Sequence, residues 1–199
     1  MNKKLLLIFV KNAVLGKVKT RLAATIGPDK AYEIYQILLK RTFEVTVALP
    51  VTKVVYYSDY TSEDLFKPPY YNKHIQSGQD LGERMQQAFA QAFADGFREV
   101  CIIGSDCYEL TEDILLQAFE KLERNDVVIG PAEDGGYYLL GMKELHPSLF
   151  TGKNWSTDSV LPDTLNNVKA NGQSVALLPQ LTDVDEEKDL STIPLHLQI

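Results

Sequence analysis

Four short segments of this 199-residue chain combine residue types that could do chemistry. The first reads Lys11-Asn12-Ala13-Val14-Leu15-Gly16-Lys17-Val18-Lys19-Thr20-Arg21-Leu22. Glycine lets a backbone come close to a phosphate, Thr20 offers a hydroxyl, and Arg21 can fork onto phosphate oxygens. It is not a Walker A loop, because Val18 stands where Ser or Thr must follow Gly16-Lys17, and a single glycine does not make a Rossmann fingerprint. The plain alternative is a solvated basic loop. Four bases within eleven residues, just past an apolar run, favour an anion site.

The second segment is Gly104-Ser105-Asp106-Cys107. A carboxylate at the end of a buried strand is costly unless it is paired or bound to a metal. A hard divalent cation carrying phosphates on its far side suits one or two such carboxylates. Asp106 stands five residues too early to cap a helix entering at Thr111, a task for which Thr111 with Glu112 and Asp113 is better built. The third segment, Gly130-Pro131-Ala132-Glu133-Asp134-Gly135-Gly136-Tyr137-Tyr138, reads either as a hairpin turn or as a carboxylate pair beside glycines that admit a substrate, one acid serving as general base. The fourth, Asp183-Val184-Asp185, would point two carboxylates the same way from an extended backbone; it is equally readable as an acidic surface run with Glu186, Glu187 and Asp189. His74, His146 and His196 are scattered and lie in none of these segments.

The elements that must position these segments alternate. Strands are predicted at Leu5–Val10, Lys53–Tyr57, Lys73–Gln76, Glu99–Gly104, Asp126–Ile129, Tyr137–Met142 and Ser174–Leu178. Helices are predicted at Pro28–Val47, Asp80–Phe97, Thr111–Arg124 and Ser159–Gly172. The Leu5–Val10 run is continuously apolar, as expected of a strand covered on both faces. Strand-helix alternation argues a single α/β domain over residues 1–199, with a mainly parallel sheet flanked by helices. Ligands of such sheets sit beyond the carboxyl ends of the strands, where the first three segments fall.

Charge supports this reading. The first 28 residues hold six bases and no acid, whereas the rest hold 14 bases against 27 acids. A basic start on an acidic body suggests one local anion site and argues against a general nucleic-acid binder. Lys3 and Lys4 are expected simply to solvate the terminus. The six-residue apolar run ending at Lys11 is too short for a signal peptide core or a membrane span. Cys101 and Cys107 fit neither a redox pair nor a zinc cluster, and a cytoplasmic location is the expectation. Asn154-Trp155-Ser156 matches a glycosylation sequon, which matters only in a secreted protein.

Taken in order, these motifs resemble a family of small bacterial transferases in the nucleotide-diphospho-sugar transferase superfamily, GT-A-like proteins known as radical-SAM- or selenium-domain-associated glycosyltransferases. The resemblance rests on Phe9, Lys11, Gly16 and Lys19-Thr20-Arg21-Leu22; on Gly78 and Asp80-Leu81-Gly82-Glu83-Arg84-Met85; on Ile103–Cys107, Gly130–Tyr138 and Trp155-Ser156-Thr157; and on the tail from Asp183 to Leu190. Ala13, Leu15 and Tyr108 depart from the family, which carries proline there. The resemblance implies that Lys11, Gly16, Lys19, Thr20 and Arg21 hold nucleotide phosphates and that Gly78, Asp80 and Gly82 border the base or ribose. It implies Mg²⁺ or Mn²⁺ on Asp106 and Asp185, or Asp183 in place of Asp185. Glu133, Gly135, Gly136 and Trp155 would face the sugar or acceptor, with Lys19, Arg21 and Asp134 catalytic. The leading expectation is a metal-dependent, glycosyltransferase-like enzyme acting on a nucleotide sugar. The alternatives are a nucleotidyltransferase joining an NTP to a small phosphorylated acceptor, and a non-catalytic nucleotide sensor.

Overall fold

A computed structural model describes residues 3–197. Strands β1 (Lys4–Val10), β2 (Thr52–Tyr57), β3 (Asn72–Ile75), β4 (Glu99–Ile103), β5 (Val127–Pro131), β6 (Tyr137–Met142) and β7 (Val175–Leu177) form one sheet in the order β3-β2-β1-β4-β6-β5-β7. The first four strands in that order run parallel, as do β5 and β7. Only β6 runs against its neighbours, so the sheet is mixed, as expected.

Helices α1 (Thr20–Ile26), α2 (Pro28–Thr46), α3 (Leu81–Ala94), α4 (Glu112–Arg124) and α5 (Val160–Ala170) cover both faces. Alternate residues of β1 divide between two cores. Leu6, Ile8 and Val10 pack with Tyr35 and Leu39 of α2 and Leu115 and Phe119 of α4. Leu5, Leu7 and Phe9 pack with Met85 and Phe89 of α3 and Val168 of α5. That double coverage explains the unbroken apolar run of β1. A third cluster joins Leu22 of α1 and Ile34 and Leu38 of α2 to Val184 and Ile193 of the late chain. This cluster draws the Asp-Val-Asp segment onto the end of the sheet.

The helix signals hold where capping chemistry supports them. Thr111 Oγ1 accepts from Ile114 N–H at 3.3 Å, and Pro28 opens α2. Residues 20–22, read as loop, depart from expectation by beginning the short helix α1. Its pattern is too brief for a periodicity argument, and it is anchored only once it packs on α2 through the fully buried Leu22. Lys4 also departs, because it does not merely solvate the terminus: it donates to Glu123 at 2.7 Å and lies 3.6 Å from Glu99. Among the described residues no helix is long and apolar enough to cross a membrane.

Candidate active site

The carboxyl ends of β1 and β4 open into a cavity of about 470 Å³. One wall comes from the chain leaving β1. Lys19, the residue before α1, sits in the left-handed region (φ 48°, ψ 46°) with its carbonyl accepting from Ala23 N–H. A lysine in that conformation is strained by about 1 kcal/mol or more, so the surroundings must hold it there. They do so through charge. The 8% exposed Lys19 sends its ammonium between Asp106 Oδ1 and Asp185 Oδ1, the latter at 3.1 Å. Arg21 takes the other Asp185 oxygen at 2.6 Å.

Backbone pairing brings these distant residues together. Cys107 and Asp183 form an antiparallel bridge, and Val184 N–H donates to the Asp106 carbonyl at 2.9 Å. Val184 is wholly buried, which turns its two flanking carboxylates toward the cleft, as extended spacing predicted. Their electrostatics nevertheless diverge. Burial works to raise the Asp185 carboxyl, but Lys19 and Arg21 overcome it and hold the group below its usual range. Among the described residues Asp183 makes no ion pair of its own. Burial, then the charges of Asp106 and Asp134, push its carboxyl up to about 8, against a lesser opposing pull from Lys19. Burial likewise works to lower the Lys19 ammonium, while Asp106 and Asp185 together raise it.

Another side of the cleft is backed by close packing around glycine. The β5–β6 connection is indeed a tight turn, with Ala132 N–H donating to Gly136 O and Gly135 N–H to Ala132 O. It also delivers a carboxylate: Asp134 Oδ1 accepts from Gly136 N–H at 2.9 Å, and Asp134 lines the cleft. Gly135 (φ 87°) lies so close to the next segment that a Cβ there would stand 2.5 Å from Asp158 Cα, while its carbonyl accepts from Leu161 N–H at the start of α5. Gly82 meets the Trp155 indole equally closely, a Cβ there falling 2.6 Å from Nε1.

Of the residues singled out from the sequence, Lys11, Lys19, Thr20, Arg21, Asp106, Asp134, Gly136, Trp155 and both aspartates of the late segment line this one cavity. Others are not among the lining residues. Asp80 caps α3 by accepting from Glu83 N–H, and Gly78 packs against Glu83 and Arg84. Gly16, Gly82, Glu133 and Gly135 are likewise not among the lining residues. Arg84 lines the cleft without having been assigned a role; its Nε donates to the Gly78 carbonyl. Its place in the Asp80–Met85 motif was the available signal. Ser105 and Tyr137 also line the cavity and carried no separate signal. A second cavity of about 610 Å³ lies beside Lys11, bounded by Gln36, Ser62, Asp64 and Lys67. It is the larger of the two, but it contains none of the Lys19–aspartate network.

The family described as "Uncharacterized protein conserved in bacteria (DUF2064)" matches residues 42–157. A Desulfovibrio desulfuricans G20 protein described as a "putative nucleotide-diphospho-sugar transferase" is 32% identical, with a TM-score of 0.90 over 98% of this chain and 88% of that one. The fold is also similar to that of the inositol-1-phosphate CTP transferase from T. maritima, at 14% identity and TM-score 0.57 over 99% and 95% of the two chains. The 4-diphosphocytidyl-2C-methyl-D-erythritol synthase of Anaerococcus prevotii DSM 20548 is similar at 10% identity and TM-score 0.61 over 100% and 97%. At such identities these two speak for a shared fold alone. No curated protein matches the chain.

Proposed function

The chain belongs to this bacterial family and has the nucleotide-diphospho-sugar transferase fold, and we propose that it is a metal-dependent transferase that passes the sugar of a nucleoside-diphosphate sugar to a small acceptor. The observation that carries the reading is convergence. Bases suited to a diphosphate, Lys19 and Arg21, share one cavity with Asp106, Asp134 and Asp183. Lys11, Thr20 and Arg21 bind the phosphate oxygens, and Trp155 bounds the sugar and acceptor side.

The donor set fits a hard cation. Asp106 and Asp183 offer oxygen ligands, and burial beside the charges of Asp106 and Asp134 pushes the Asp183 carboxyl up, an environment that added positive charge would relieve. Among the described residues no group of three or more His, Cys, Asp or Glu could hold a metal by itself, so phosphate oxygens would have to complete the shell of an ion held here. Asp185 is engaged by both Lys19 and Arg21 whereas Asp106 is engaged by Lys19, so we assign Asp183 in place of Asp185 as the ligand beside Asp106. When bound, Mg²⁺ or Mn²⁺ supplies charge stabilisation for the diphosphate leaving group.

The protein's own groups do the rest. Gly136 N–H fixes Asp134 through Oδ1, leaving Oδ2 to take the proton from the acceptor hydroxyl as that oxygen bonds to the sugar carbon. The bond from that carbon to the diphosphate breaks, and Lys19 and Arg21 meet the developing negative charge. The test is incubation with nucleoside-diphosphate sugars and Mn²⁺, with products followed by ³¹P NMR. Release of a nucleoside diphosphate supports the reading; binding without turnover of any sugar donor or NTP overturns it in favour of a sensor. The pair Lys19 and Arg21 also suits the phosphates of an NTP. Pyrophosphate release from an NTP and a phosphorylated acceptor would make the protein a nucleotidyltransferase.

A further inference from the structure

The groups expected to hold phosphate and the groups expected to hold metal are holding each other. Lys19 bridges Asp106 and Asp185, and Arg21 shares Asp185. Building on the transferase reading, we propose that Lys19 is the site's own substitute cation, so that divalent metal and diphosphate load as a pair and each binds poorly alone.

The reason is charge balance in a half-buried space. A metal arriving alone on Asp106 must detach Lys19, whose side chain is 5% exposed, and leave it on Asp185, which Arg21 already occupies. A diphosphate arriving alone meets an ammonium already neutralised by two carboxylates and faces the further negative charge of Asp134. Arriving together they would exchange partners: Lys19 would turn to a phosphate oxygen, and Asp106 with Asp183 would be free to hold the metal. No buried charge is then left unpaired. By linkage, whatever factor diphosphate adds to metal affinity, metal adds to diphosphate affinity.

The geometry makes Lys19 the switch and Arg21 its support. Among the described residues Lys19 is ion-paired with Asp106 and Asp185, whereas Arg21 is ion-paired with Asp185 alone and has a 61% exposed side chain. Removing the Lys19 ammonium should therefore free Asp106 for metal without any phosphate.

The test counts free Mn²⁺ by electron paramagnetic resonance, which does not depend on turnover. Wild-type protein is titrated with Mn²⁺ alone and with Mn²⁺ plus each nucleoside diphosphate, and Lys19→Met is titrated with Mn²⁺ alone. Wild type should bind Mn²⁺ at least tenfold more tightly when a diphosphate is present, and Lys19→Met should bind Mn²⁺ alone at least tenfold more tightly than wild type. Lys19→Arg, which keeps the charge, should behave as wild type. Circular dichroism checks the fold, with Lys19→Gln standing in should Lys19→Met not fold; the wild-type titration decides the pairing in any case. Equal Mn²⁺ affinity with and without diphosphate, or in wild type and the neutral variant, overturns this inference while leaving the transferase reading intact. If no nucleoside diphosphate stabilises the protein in a thermal-shift assay with Mn²⁺, the transferase reading itself falls.

Discussion

The two walls of the cleft are made of different materials. On the side after β1, the wall is long side chains held by ion pairs between residues far apart in sequence, Lys19 and Arg21 with Asp185. Around the β5–β6 turn and the start of α3 it is close packing on glycine, with Gly135 seated on the Asp158 backbone and Gly82 of α3 on the Phe150 carbonyl and the Trp155 ring. Charged side chains can change partners at little cost, because each alternative still satisfies the charge. Close-packed glycine contacts cannot yield without moving the chain. The first wall is suited to exchanging ligands and the second to defining a fixed shape.

Small additions should therefore damage the glycine wall most. Gly135→Ala combines a positive φ with a Cβ placed 2.5 Å from Asp158 Cα, and Gly82→Ala would press on the Phe150 carbonyl and the Trp155 indole, both 2.6 Å from the added carbon. Each should cost about 3 kcal/mol, lowering the midpoint of thermal unfolding by roughly 10 °C, as calorimetry would record. Full stability in either variant would break the contrast between the walls.

On the charged wall the largest effect should fall on turnover. Lys19→Met should slow transfer by about 100-fold or more, as loss of a group aimed at a developing anion typically does. Chemical denaturation should show a smaller change in stability than either glycine variant. A variant that unfolds but transfers normally when folded would reverse the assignment.

Asp183 sharpens the contrast through pH. A carboxyl raised to about 8 in the folded protein binds its proton more tightly there than in the unfolded chain. The folded protein therefore loses stability as pH rises from about 4 to about 8, and the penalty is then complete. Asp183→Asn should relieve it, gaining about 1–3 kcal/mol at pH 8 and close to nothing at pH 4, as read by urea unfolding at both values. Asp185 works in the opposite sense, being held below its usual range, so its contribution is present above about pH 4 and is lost on acidification. Equal gains from Asp183→Asn at both pH values would show that titration of this carboxyl is not the cause.

Arg21→Ala should have the least effect on stability, within about 1 kcal/mol and diminishing with added salt, because the Arg21 side chain is 61% exposed. Thermal unfolding in low and high salt would check this.

Much of this was legible in the residues. The β1 run, the Thr111 cap and the Asp-Gly-Gly turn each depend on short-range patterns, and each stands where such patterns place it. The Asp-Val-Asp segment also showed its alternation, since a wholly buried valine between two aspartates fixes which way they point. Asp80 was less transparent, because one side-chain chemistry serves both a helix cap and a ligand contact, and the cap is the contact the structure shows.

By itself, the sequence determined the strands, the four longer helices and the composition of the site: which strand is covered on both faces, where those helices start, and which bases and acids lie at strand ends. These follow from periodicity and from the bonding needs of one backbone segment. The tertiary structure decided the pairings. Lys19 lies 166 positions before Asp185, and nothing local specifies that its ammonium bridges Asp185 and Asp106. Nor does the sequence explain why Asp183, two residues from Asp185, is pushed in the opposite direction. Burial and Coulomb interactions depend on distances through space, and these exist only once Val184 is buried and the late chain is bridged to the end of β4.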